Sequence, residues 1–170
     1  MQKILVSACL LGDPVRYNGK AKTADHFWLK MWHKEGRIVS ICPELEGGLP
    51  VPRPPAEIVE GFAGCVIDGS AEVETECGQN VTKPFLAGAK KALQLCQRYD
   101  IQIAILTEGS PSCGSSKVYD GSFSGRKIAG QGVTSAFLER HGVKVFSQFQ
   151  CEEAHQCLSR IEQQLMSVTL

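Results

Sequence analysis

No apolar stretch in this chain approaches the ~20 residues that cross a bilayer. Nor is there an excess of one charge, since 18 Lys and Arg cancel 18 Asp and Glu over 170 residues. Neither a membrane span nor a basic stripe tracking phosphates is expected, so folded nucleic acid is not an expected partner, whereas a single nucleobase stays open. Histidine is scarce. The four copies, His26, His33, His141 and His155, all fall on expected helices or helix ends, so no histidine ligand is expected. The eight cysteines contain no C-x-x-C pair, which argues against a zinc ribbon and against a thioredoxin-like motif. Export is not expected either. Val6-Ser7-Ala8-Cys9 looks like a lipoprotein cleavage box, but only five residues precede it, where an h-region needs about seven to fifteen apolar ones. A cytoplasmic protein follows, with cysteines that are free, metal-bound or catalytic rather than a disulfide framework.

What is present is a regular alternation. Short aliphatic runs at Lys3–Ser7, Arg37–Ile41, Gln102–Thr107 and Val143–Phe146 read as parallel strands. Helical patterns separate them, as βαβ units require. The clearest helix runs from Thr82, a candidate N-cap, to Tyr99. Others are expected over Asp25–Lys34, Thr134–His141 and Glu152–Leu165, the last presenting Cys157, Leu158, Ile161 and Leu165 on one face. Gly47–Pro55, rich in proline, reads as an ordered non-helical loop. Asp68-Gly69, flanked by Cys65-Val66-Ile67 and Ala71-Glu72-Val73, and Asp120-Gly121, flanked by Val118-Tyr119 and Ser122-Phe123, read as β-hairpins. The expected fold is therefore a single α/β domain over residues 1–170, an open, mostly parallel sheet flanked by helices in a Rossmann-like three-layer arrangement, with small β-hairpin insertions. A chain of this length buries roughly two-thirds of its unfolded surface around one core.

Three cysteines stand just beyond expected strands, in turns rich in glycine or proline. They are Cys9 in Ser7-Ala8-Cys9-Leu10-Leu11-Gly12, Cys42 in Cys42-Pro43-Glu44, and Cys113 in Glu108-Gly109-Ser110-Pro111-Ser112-Cys113-Gly114. Neighbouring parallel strands would open all three sulfurs into the crevice at the strand C-termini, where open α/β sheets bind ligands. Alone, each is an ordinary small buried hydrophobe; together they point to a metal centre with one position left for chemistry. The other five read as structural. Cys96 and Cys157 fall on apolar helix faces, Cys65 in a hairpin strand, and Cys77 and Cys151 in polar connections, with Cys77 the first candidate for a fourth thiolate. Beside the candidate ligands, Glu44 is placed to shuttle a proton and Ser110 to orient water or a substrate heteroatom. Arg53 and Lys117 are candidates to offset thiolate charge.

These motifs, with Gly47-Gly48-Leu49-Pro50, Pro52-Arg53-Pro54-Pro55-Ala56-Glu57 and Tyr119-Asp120-Gly121 through Phe123-Ser124-Gly125, resemble the bacterial thiouracil desulfidase family over about Lys3 to Phe146. The resemblance implies a [4Fe-4S] cluster held by Cys9, Cys42 and Cys113, with one open iron that takes the sulfur of a substrate such as 2-thiouracil. It implies Glu44 and Ser110 as acid/base and positioning residues, and a non-redox hydrolytic desulfuration to uracil and sulfide. Spacing alone does not distinguish an iron-sulfur cluster from zinc. Two other readings stand beside this one: a non-enzymatic iron-sulfur or zinc binding or sensor protein, and a metal-free enzyme with Cys113 as nucleophile.

Overall fold

The computed structural model describes residues 1–168. Four parallel strands, β1 (Ile4–Ser7), β2 (Ile38–Ile41), β5 (Ile103–Leu106) and β8 (Lys144–Ser147), form one sheet in the order β2-β1-β5-β8. Every residue of β1 and β5 is buried, the state that continuous aliphatic runs encode when both sheet faces are covered. Side chains alternate between the two layers. Ile4, Val6, Ile103 and Ile105 pack under α1 (Phe27–Lys34) and α6 (Cys151–Val168) through Leu29, Trp32, Leu158 and Ile161. Leu5, Ala104 and Leu106 pack on the opposite face with Ala92 and Cys96 of α4 (Thr82–Arg98) and Leu138 of α5 (Val133–Arg140). The result is the expected three-layer α/β architecture.

The strand order places the binding crevice. From β1 the chain goes outward to β2 on one side, while β5 and β8 lie on the other, so the direction of winding reverses between β1 and β5. Their C-terminal ends part there and leave an opening.

Outside the main sheet, β3 (Ala56–Val59) pairs antiparallel with β4 (Glu72–Thr75), and β6 (Lys117–Tyr119) with β7 (Lys127–Ala129). Two hairpin expectations are corrected here. Cys65 to Asp68 belongs to helix α3 (Ala63–Asp68), and Gly69, at φ +84°, ends it by returning its N–H to the carbonyls of Cys65 and Val66. Asp-Gly serves as a left-handed helix stop rather than a two-residue turn, and β4 finds its partner upstream in β3. The second hairpin exists, but residues 120–126 form its loop and its return strand is β7, not Ser122-Phe123. Thr82 is not an N-cap either. It is the first residue of α4, its N–H bonded to Asn80 Oδ1 while its Oγ1 accepts from Val73 N, which fastens the helix start to β4. Cys151 opens α6, fully buried with its thiol 3.4 Å from the Gln148 carbonyl, and Leu165, in register with the apolar stripe, is 43% exposed.

A short helix, α2 (Pro43–Glu46), joins β2 to the proline loop and rests directly on α4. A Cβ placed on Gly47 would stand 2.0 Å from the Pro84 carbonyl oxygen, and one on Gly88 2.0 Å from that of Pro43. Two glycines thus let two helix backbones touch, and this contact locates Cys42 and Glu44.

Candidate metal centre

Cys9, Cys42 and Cys113 line a single cavity of about 350 Å³ at the C-terminal ends of β1, β2 and β5. Cys9 follows β1 in a 3-10 turn, Ala8–Leu11, with its Sγ 2.8 Å from Thr107 Oγ1. Thr107 leaves β5 and donates its backbone N–H to Ser7 Oγ, so the mouths of the two central strands are cross-bonded beneath the site. Cys42 directly precedes α2, with its Sγ 3.9 Å from the Val15 carbonyl. Cys113 lies beyond β5 in the loop that leads to β6.

That loop is wrapped around a carboxylate. Glu108 accepts backbone N–H bonds from Gly109, Ser115, Ser116 and Lys117, and hydroxyl bonds from Ser115 and Ser116. Burial alone would raise its pKa, but the amides of Lys117 and Ser116 and the two serine hydroxyls hold it down to about 2. Ser110 Oγ accepts from the N–H of Ser112 at 3.1 Å and of Cys113 at 3.0 Å. Its acceptor role is thus spent on the turn, and the hydroxyl hydrogen is what it has to offer the cavity. From below, the first turn of α5 grips the same loop, Val133 and Thr134 donating their N–H groups to the carbonyls of Pro111 and Ser112.

Glu44 lines the same cavity as the three thiols, with its side chain 13% exposed. Arg53 donates Nε to Glu44 Oε2 at 2.6 Å and brings Nη2 to the same oxygen, while its other donors reach the carbonyls of Pro50 and Val15. Desolvation pushes the Glu44 carboxyl up and Arg53 restrains the rise, leaving a net upward shift. Arg53 thus pairs with Glu44 and also lowers the Cys42 thiol by its charge, as expected of a residue that offsets thiolate charge.

Burial raises all three thiol pKa values. In Cys113 the nearby Cys9, Cys42 and Glu44 push further in the same direction, and in Cys42 so do Glu44 and Cys9. At Cys42 and Cys113 neighbouring acidic groups add to burial in opposing the thiolate, an effect that a cation would offset. A metal centre reverses that sign by binding the thiolates, and soft sulfur donors with small residues around them fit an iron-sulfur cluster. Among the described residues, no group of three or more His, Cys, Asp or Glu side chains can hold a single metal ion.

Cys65, Cys77, Cys96, Cys151 and Cys157 do not line this cavity, nor do the four histidines or Lys117. Cys77 lies exposed in the turn after β4. Several lining residues had no role in the sequence reading: Arg16, Lys22, Glu57, Thr107, Glu108 and Lys127. Polar residues directly beyond a buried strand, Thr107-Glu108 after β5, were the available signal. Lys22 has no comparable one, since it reaches the cavity from a long loop in which its N–H is held by the Cys9 carbonyl.

A parallel α/β sheet with three thiols and a buried carboxylate gathered at its topological switch point defines a cofactor-dependent enzyme site more closely than a structural metal knot. The comparisons agree. The family model of 2-thiouracil desulfurase matches residues 4–150, and the chain belongs to that family. It is 43% identical over 145 residues to the uncharacterized protein YbbK of Bacillus subtilis (strain 168), covering 85% of this chain and 95% of the relative. A solved structure of the [4Fe-4S]-dependent thiouracil desulfidase TudS superposes with a TM-score of 0.86 at 49% identity, covering 94% of this chain and 99% of that one. Both the family and the neighbour are enzymes, which disfavours the sensor reading.

Proposed function

We propose that this chain is a [4Fe-4S]-dependent desulfidase that hydrolyses a thiolated pyrimidine such as 2-thiouracil to uracil and sulfide, without net electron transfer. The observation that carries the reading is the convergence of Cys9, Cys42 and Cys113 with Glu44 on one cavity. The three cysteines would hold the cluster, leaving one iron for the substrate. When bound, the cluster supplies a thiophilic Lewis acid for the substrate's sulfur.

The chain's own residues supply the rest. Arg53 occupies Glu44 Oε2, so Oε1 is the oxygen that takes a proton from water and returns it to the departing sulfur. Ser110 directs its hydroxyl hydrogen at the water or at an acceptor heteroatom of the substrate, held in place by the two amides it accepts from. The reaction adds one water and releases one hydrogen sulfide, so no oxidant or reductant enters. Residues 1–170 act as one domain on a small soluble substrate in the cytoplasm. No helix among the described residues is long and apolar enough to cross a membrane.

The test is anaerobic reconstitution followed by sulfide release from 2-thiouracil. Replacing Cys9, Cys42 or Cys113 with Ala is expected to abolish iron retention and turnover together, whereas Glu44→Gln is expected to keep the iron and lose turnover by at least about a hundredfold. Full activity in an iron-free preparation would end the proposal.

A further inference from the structure

Three carboxylates line the cavity, and their hydrogen bonds sort them. Glu108 commits both oxygens to its own loop. Glu44 is ion-paired with Arg53. Glu57, on β3, is 7% exposed and has no ion-pair partner among the described residues. Its Oε1 accepts the backbone N–H of Gly121 at 2.9 Å and of Phe123 at 3.3 Å, and no protein group among the described residues binds its Oε2. Glu57 lines the cavity, so an oxygen that no protein donor occupies is available there to accept a hydrogen bond from a ligand.

The carboxylate is also held in place. A Cβ on Gly121 would lie 2.5 Å from the Ile58 carbonyl oxygen, so the 120–126 loop sits hard against β3 and Glu57 is anchored from both sides. The hairpin tethered in this way brings Tyr119 and Lys127 to the same cavity. An ionised carboxylate only accepts hydrogen bonds. A thiolated pyrimidine carries ring N–H donors beside its thiocarbonyl, while the cavity's Lys22, Arg53 and Lys127 are themselves donors and cannot meet them.

We infer that Glu57 is a specificity-determining residue whose free oxygen accepts a ring N–H of the substrate, so that the site selects cyclic thioamides bearing that N–H over their N-alkylated analogues. The inference rests on the desulfidase reading for its substrate class. It is tested with the anaerobically reconstituted full chain, unsubstituted and Glu57→Gln, by steady-state kinetics on 2-thiouracil and its two N-methyl isomers. Equilibrium dialysis of uracil and the corresponding methyluracils runs alongside. One methyl isomer is expected to show KM raised, and its uracil counterpart binding weakened, by about ten- to hundredfold, the range for a hydrogen bond to a charged group, with kcat changed less. Glu57→Gln is expected to impose a similar loss on the parent compounds and almost none on that isomer.

Equal handling of the parent and both isomers by the unsubstituted chain overturns the inference. So does a Glu57→Gln loss of the same size on all three ligands, which would make the residue a loop tether only. Should Glu57→Gln fail to fold, the methyl series on the unsubstituted chain decides. A chain that binds uracil with this methyl pattern but releases no sulfide from any thioamide would retire the desulfidase reading and leave the recognition role of Glu57 standing.

Discussion

Gly88→Ala sets two effects of opposite sign against each other. In the interior of a helix, alanine is favoured over glycine by about 0.8–1 kcal/mol, so propensity alone predicts a more stable protein. The structure predicts otherwise, because the new Cβ would stand 2.0 Å from the Pro43 carbonyl oxygen and 2.6 Å from its carbon, where real Cβ contacts stay beyond 3.0 Å. Backbone cannot swing away as a flexible side chain can, so α2 must retreat by at least about 1 Å. Overpacking of this kind costs about 1–3 kcal/mol. Net destabilisation is then modest, about 0–2 kcal/mol once propensity is credited. The effect on chemistry is larger. α2 begins one residue after Cys42 and carries Glu44, and a displacement near 1 Å at a reacting group costs about a hundredfold in rate. Thermal melting, iron per chain after anaerobic reconstitution and sulfide release from 2-thiouracil read the three consequences, with Lys90→Ala, on the exposed side of α4, as the control. A Gly88→Ala protein that melts no lower than wild type and desulfurates at an unchanged rate would refute the reasoning, since α2 would not then rest on the α4 backbone.

Two further outcomes follow from the energetics. Glu108 titrates at about 2 in the folded chain against an ordinary 4.5, so its contribution to stability is complete above about 4.5 and is lost as pH falls towards 2. Discounted for partial solvation, that contribution is about 1–2 kcal/mol, and Glu108→Gln should flatten the fall in melting temperature between pH 5 and pH 3; an unchanged acid profile would show that the loop does not depend on this charge. Leu158→Ala, which empties a buried position between α6 and the sheet, should cost about 2–5 kcal/mol in urea unfolding. A loss below 1 kcal/mol would mean that α6 is not part of the cooperative core.

The main sheet was legible because its residues are buried on both faces. Ile4-Leu5-Val6 and Ile103-Ala104-Ile105-Leu106 carry no polar interruption, and each expected strand falls within one or two residues of the observed one. The candidate ligands were legible for a related reason: a single cysteine past such a run is an ordinary buried hydrophobe, but three of them, each in a glycine- or proline-rich turn just past a strand, share one end of the sheet. Asp68-Gly69 misled because glycine at positive φ ends a helix as readily as it turns a hairpin, and which one forms depends on where β4 finds its partner. Cys151 was read as a connection because the apolar face of α6 begins one residue earlier than its acidic first turn suggests. The roles of Glu57 and Glu108 were hidden because each is defined by backbone amides, which leave no trace in residue type.

Local pattern by itself determined the sheet, the helices that cover it and the three turns bearing thiols, because burial on a given face imposes a period on neighbouring residues. Only the folded chain decided that those turns share one cavity, that Arg53 holds a single oxygen of Glu44, and that Glu57 keeps an oxygen free. These are contacts between groups many positions apart, governed by strand order and by the touching of α2 and α4 at Gly47 and Gly88, and no periodicity along the chain encodes them.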